Sequence, residues 1–96
     1  MSNPDELLFS GHAIERMFRR GISENEVRLV VLEGETIAEY ADDTPYPSRL
    51  IFGLVEGRPS HVVVARDKKR VACIVITAYR PQPDQWSPDY RTRRVK

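Results

Sequence analysis

Residues 10–22 read SGHAIERMFRRGI. A serine able to cap a helix N-terminus opens the stretch, and Gly21, suited to a left-handed C-cap, closes it. Between them Ala13 with Met17, and Ile14 with Phe18, stand four apart and make an apolar face. His12, Arg16 and Arg20 stand at i, i+4 and i+8 on one stripe beside that face, and Arg19 borders the stripe. The spacing predicts a helix that packs one side and displays an imidazole and guanidiniums along its rim. Such a rim suits a phosphate-bearing ligand, because Arg grips phosphate in a bidentate fork and His moves protons near neutral pH. A solvated basic face is the plain alternative.

The pattern then continues through a second helix into strands. Ser23 with Glu26 three residues later matches a capping box, and the helix after it places Val27, Val30 and Val31 on its apolar face, widened by Leu29 and Leu32, before Gly34 ends it. From there the period changes to extended. Thr36–Ala41 reads as a first strand, and Asp42–Ser48, with Pro45 and Pro47, as a loop. Arg49–Val55 and Ser60–Arg66 read as the second and third strands, joined by a turn over Glu56-Gly57-Arg58-Pro59. A turn at Asp67-Lys68-Lys69 leads to a fourth strand, Arg70–Tyr79, apolar on both faces and so expected to be buried on both. Leu7–Phe9 is a short apolar lead-in. The expected architecture is α+β: two N-terminal helices followed by a four-stranded antiparallel sheet, in a single domain over residues 7–80. Residues 81–96, with Pro81, Pro83 and Pro88, read as an irregular basic tail.

Composition narrows the function. The 96 residues are 41% hydrophobic and 30% charged, which describes one ordinary globular domain. No run approaches the roughly 18 apolar residues of a membrane span, and Asp5 and Glu6 stand where a signal peptide has its basic region. The single cysteine, Cys73, excludes an internal disulfide framework and fits a reducing compartment, so a cytoplasmic protein is expected. There is no CxxC, no HExxH, no phosphate-cradling glycine loop and no Gly-x-Ser-x-Gly element; neither a metal nor a cofactor is expected.

The net charge of +1 hides an uneven distribution. Acids crowd residues 24–43 against the single base Arg28, while Arg16, Arg19 and Arg20 lie before that stretch and Arg91, Arg93, Arg94 and Lys96 close the chain. If the two basic ends meet, they form a positive surface for which nucleic acid is the natural partner. A near-neutral chain nevertheless argues for few phosphate contacts.

Several stretches together resemble a known family. The frame S-x-H-A-x-x-R-M-x-x-R-G-I-S, then Y-P-S-R-L, R-P-x-H-V-V-V-A and T-A-Y-R-P…W…R-R, spanning Ser10 to Arg94, is similar to the small bacterial proteins catalogued as domain-of-unknown-function family 4258. Members of that family are often encoded beside a YgiT-type, MqsA-like zinc-finger antitoxin. Two helices before an antiparallel sheet also resemble the RelE, MqsR and BrnT toxins. The resemblance implies a RelE-like fold and the toxin of a type II toxin–antitoxin pair, a metal-independent mRNA endoribonuclease. Its partners would be RNA, free or on the ribosome, and the zinc-finger antitoxin.

Metal-free RNA cleavage needs a base for the 2′-OH, cations for the pentavalent phosphorane and an acid for the leaving 5′-oxygen. His12 and His61 are the two histidines, and His61 shares a strand face with Val63 and Ala65, opposite to Val62 and Val64. A helix packed across that face would set His12 and His61 within about 10 Å, on opposite sides of one phosphate, with Arg16 and Arg20 between them. Tyr79 is a further catalytic candidate, and Tyr40 a weaker one. Arg19, Arg80, Arg91, Arg93 and Arg94 are the candidates for binding RNA. Each has a structural alternative: His61 as a core histidine bonded to backbone, His12 as a helix terminator, and Tyr79 and Trp86 as seals on a core edge. The rivals to an RNase are a non-enzymatic RNA- or protein-binding module and a ParE-like toxin with another target.

Overall fold

The structure, a computed structural model, describes residues 6–67, 69 and 71–94; Lys68, Arg70 and Lys96, assigned above to a turn, a strand start and the tail, lie outside the described residues. In chain order come β1 (Glu6–Phe9), α1 (Gly11–Arg20), α2 (Glu24–Glu33), β2 (Glu35–Tyr40), β3 (Ser48–Val55), β4 (Arg58–Asp67) and β5 (Ala72–Tyr79). Both helices start where their caps specify. The Ser10 hydroxyl accepts from the Ala13 amide at 3.0 Å, and the Ser23 hydroxyl from the Glu26 amide at 3.1 Å. Gly21 closes α1 in the left-handed region at φ 66°, which glycine adopts without steric cost.

The sheet corrects the expectation of four antiparallel strands. It has five, in the order β1-β5-β4-β3-β2, and β1 runs parallel to β5. Four residues are too few to carry a legible alternation, and their partner lies more than sixty positions away. β4 is also longer than expected. Glu56 and Gly57, at φ 53° and 79°, form a two-residue turn of the primed kind, so Arg58 pairs with Val55 and belongs to the strand. Val71, expected in the last strand, stands at φ 52° in the turn before it.

Both helices cover one face of the sheet. Ala13 and Met17 of α1, Ile22, and Val27 and Val30 of α2 pack on Ile51, Val62, Val64, Val75 and Ala78. Gly34 lets α2 end against the sheet: a Cβ there would meet the Phe52 carbonyl at 2.6 Å and the Ile51 side chain at 2.7 Å. The apolar faces are narrower than the sequence implied, because Ile14, Phe18, Leu29 and Leu32 stand exposed. The opposite face carries Leu50, Phe52, His61 and Tyr79 and is covered in part by the chain after β5. Those residues form a folded loop: Trp86 bridges Arg93, and the Arg94 amide donates to the Gln85 carbonyl at 2.8 Å.

Candidate functional site

α1 presents the stripe as its spacing requires. His12 and Arg20 are exposed and Arg16 is half-buried. The His12 and Arg16 side chains have no hydrogen-bond or ion-pair partner among the described residues. Arg19 meets Glu15 at 3.4 Å, an exposed i,i+4 pair worth little. Arg20 reaches the sheet, donating to the Ala78 carbonyl at 2.8 Å. It can do so because β1 pairs only with Ala72–Val75. α1 then runs beside the remainder of β5, and the Ser10 amide donates to the Val75 carbonyl at 3.2 Å.

The foot of the stripe therefore lies beside Tyr79. Burial raises the pKa of the Tyr79 phenol, as does the Tyr40 phenol, while the positive charges of Arg93 and Arg20 oppose them. A guanidinium from the helix layer and one from the C-terminal loop thus act on one hydroxyl at the sheet edge. Tyr79 reaches the far face through a bulge in β5, where Val64 pairs with Val75 but Val63 with Thr77.

His61 is not where the two-histidine arrangement needs it. It is fully buried, on the face away from the helices. The parity read from the sequence holds, since Val62 and Val64 do oppose His61, but the helices pack on the valine face. His12 and His61 consequently lie on opposite sides of the sheet and share no cleft. The Nε2 of His61 lies 2.9 Å from the Tyr90 carbonyl, which can only accept, so Nε2 carries the proton and Nδ1 accepts from the Tyr79 hydroxyl at 3.3 Å. Trp86 packs edge-on at 4.4 Å between ring centroids. Burial lowers the His61 pKa, with the Tyr90 bond acting the other way. This is a neutral, fully satisfied histidine that anchors the C-terminal loop.

The other cationic candidates separate in the same way. Arg80 forks onto the buried Glu26 carboxylate at 2.8 and 3.2 Å and also donates to the Ser60 hydroxyl, which in turn donates to Glu26. Burial alone would raise the Glu26 pKa, but bonds from Arg80 and Ser60 and the charges of Arg80 and Arg58 hold it below its ordinary value. Only half of the capping box forms, because this carboxylate turns into the protein. The available signal was a glutamate on the apolar side of α2, between Val27 and Ser23, where burial demands a cation. Arg91 bonds Glu35 at 2.8 Å and lies over the Phe52 ring at 5.0 Å. Arg94 donates to the Trp86 and Pro83 carbonyls at 2.7 and 2.9 Å. Arg93 sits over Trp86 at 5.8 Å.

The structure thus brings together His12, Arg16 and Arg20, with Arg19 alongside and Tyr79 and Arg93 near the foot. Arg80, Arg91, Arg94 and His61 hold the protein's own parts together. Among the described residues no group of three His, Cys, Asp or Glu side chains could hold a metal, and no helix is long and apolar enough to cross a membrane.

Fold and site together define a small α+β domain that displays a cationic stripe on its first helix, beside the open end of a mixed sheet. The family model described as Domain of unknown function (DUF4258) matches residues 9–80, and the chain belongs to that family. Comparison with curated proteins and with solved structures returned no match.

Proposed function

We propose that this protein binds the phosphodiester backbone of single-stranded RNA along α1, with His12, Arg16 and Arg20 on the phosphates and Tyr79 and Arg93 at the end of the track. One observation carries this reading. Arg80, Arg91 and Arg94 are all engaged within the protein, whereas His12 and Arg16 have no partner among the described residues. An imidazole and a guanidinium one helical turn apart, each without a partner among the described residues, suit a phosphate ladder. Phosphate contacts from the Arg16 and Arg20 guanidiniums imply that log K falls against log salt with a slope of about −1.4 for a single strand.

A narrower reading is favoured by the exposed imidazole one turn from a free guanidinium: a metal-independent endoribonuclease with a RelE-like fold, the toxin of a cytoplasmic toxin–antitoxin pair. His12 takes the 2′-OH proton, O2′ attacks phosphorus, and the 5′-oxygen leaves with a proton from water. A 2′,3′-cyclic phosphate remains, and Arg16 and Arg20 stabilise the phosphorane. The partner in this reading is an MqsA-like zinc-finger antitoxin that covers the stripe.

Labelled single-stranded RNA titrated with the pure chain in EDTA tests both. Binding with that salt slope, lost on Arg16→Ala, supports the first reading. Cyclic-phosphate products that fall about a hundredfold with His12→Ala add the second. No salt-dependent binding at low ionic strength refutes the proposal.

A further inference from the structure

A chain of hydrogen bonds fixes what the Tyr79 phenol can offer a ligand. The Tyr90 carbonyl only accepts, so it holds the His61 ring proton on Nε2, 2.9 Å away. His61 is fully buried and edged by Phe52, Tyr79 and Trp86, an enclosure that favours the neutral ring. Nδ1 of that tautomer can only accept, and the Tyr79 hydroxyl, 3.3 Å away, is its donor. The single proton of the phenol is thus committed inside the protein. What the half-buried phenol has left is an oxygen lone pair, which accepts and cannot donate. Two guanidiniums flank this acceptor. Arg20 donates through one nitrogen to the carbonyl of Ala78, the residue before Tyr79, and keeps further N–H donors. Arg93 lies over Trp86, which itself packs on His61, and the Arg93 side chain has no hydrogen-bond or ion-pair partner among the described residues. Both charges reach the phenol.

A ligand that fits this corner brings an anion and, beside it, a neutral donor. A cationic donor is repelled by the guanidiniums, and a phosphate oxygen, itself an acceptor, gains nothing from the phenol. We infer that Tyr79 reads a ribose 2′-hydroxyl, with the adjoining 3′-phosphate held by the flanking guanidiniums, and so selects RNA over DNA. The inference rests on the phosphate track proposed along α1, of which Arg20 is the last rung. In RNA the 2′-hydroxyl stands on the carbon next to the one that carries the 3′-phosphate, so a phosphate held by a guanidinium brings the hydroxyl with it. That hydroxyl is the group by which a protein tells RNA from DNA at a given site. Tyr79 is then a specificity residue and His61 a positioning residue. The neutral imidazole, on the face away from α1, turns the phenolic proton inward and leaves the accepting side of the oxygen for the ligand.

Labelled single strands of one sequence, in RNA, DNA and 2′-fluoro form, titrated at one low salt concentration, test the inference. The 2′-fluoro strand keeps an RNA-like sugar pucker but has no donor. The native chain binds RNA about fivefold more tightly than either other strand, the size of one hydrogen bond. Tyr79→Phe, shown to be folded by circular dichroism, removes that preference by weakening RNA alone. The titrations are repeated in His12→Ala, so that cutting of the RNA does not compete with binding. A native chain that binds RNA no more tightly than the 2′-fluoro strand overturns the inference and leaves the phosphate track standing, whereas one that binds none of the strands overturns both. A preference that survives Tyr79→Phe also overturns it. So does a loss shared equally by the three strands, which marks a packing role for the phenol.

Discussion

His12 and His61 are the two histidines of the chain, and the sheet between them has given them opposite lives. His12 sits one residue into α1, exposed, and its side chain has no partner among the described residues. His61 has both ring nitrogens bonded and is edged by Phe52, Tyr79 and Trp86. Each lies near arginines; Arg16 beside His12 has no hydrogen-bond or ion-pair partner among the described residues, whereas Arg91 on the His61 side bonds Glu35. The lesson concerns burial more than residue type. A histidine that faces water can exchange protons with a ligand, whereas one enclosed by aromatic rings serves packing. Tyr79 joins the two regions, accepting nothing from α1 directly but lying where the fields of Arg20 and Arg93 overlap on a phenol bonded to His61.

The sharpest way to separate the packed region from the open one is to break its ion pair. Glu26→Ala leaves the Arg80 guanidinium largely buried without its carboxylate and should cost about 3 kcal/mol or more in urea unfolding. Its pH signature has a definite sign. The folded pKa of Glu26 is depressed, so the pair stabilises above the ordinary value of 4.5, and that contribution is lost as pH falls through the folded value. Native and Glu26→Ala curves should converge on the acid side.

His61→Ala comes next, at about 2–3 kcal/mol, since it leaves a cavity under Trp86 and unpairs the Tyr90 carbonyl. His12→Ala should leave the melting temperature unchanged while lowering any cleavage activity about a hundredfold. Because the folded pKa of His61 is also depressed, the unfolded chain takes up protons first as pH falls below 6.5, and stability declines there. That decline should persist in His12→Ala and vanish in His61→Ala. A loss of stability with His12→Ala as large as with His61→Ala would erase the contrast.

Affinity gives a smaller contrast. Arg16→Ala should weaken RNA binding about tenfold at low salt and reduce the salt slope by roughly 0.7. Arg94→Ala, which frees the Trp86 and Pro83 carbonyls, should alter tryptophan fluorescence and spare the slope. The smallest expected effect is at Glu15. Removing its exposed bond to Arg19 with Glu15→Gln should change stability by less than about 0.5 kcal/mol, measured by thermal unfolding.

Local signals in the chain determined a good deal of this. The caps at Ser10, Gly21 and Ser23, the Glu56-Gly57 turn and the placement of the basic stripe on α1 all follow from interactions within four residues, so they are legible without the rest of the molecule. Tertiary structure alone decided which face of β4 the helices cover. Both faces offer apolar residues, Val62 and Val64 on one and Val63 and Ala65 on the other; the helices pack on the first, and Trp86 and the C-terminal loop cover His61 on the second. The parallel pairing of β1 with β5, the bulge that turns Tyr79 toward His61, and the capture of Glu26 by Arg80 are of the same kind. Each joins residues dozens of positions apart. Their energy comes from burying two surfaces against each other, which no window of sequence contains.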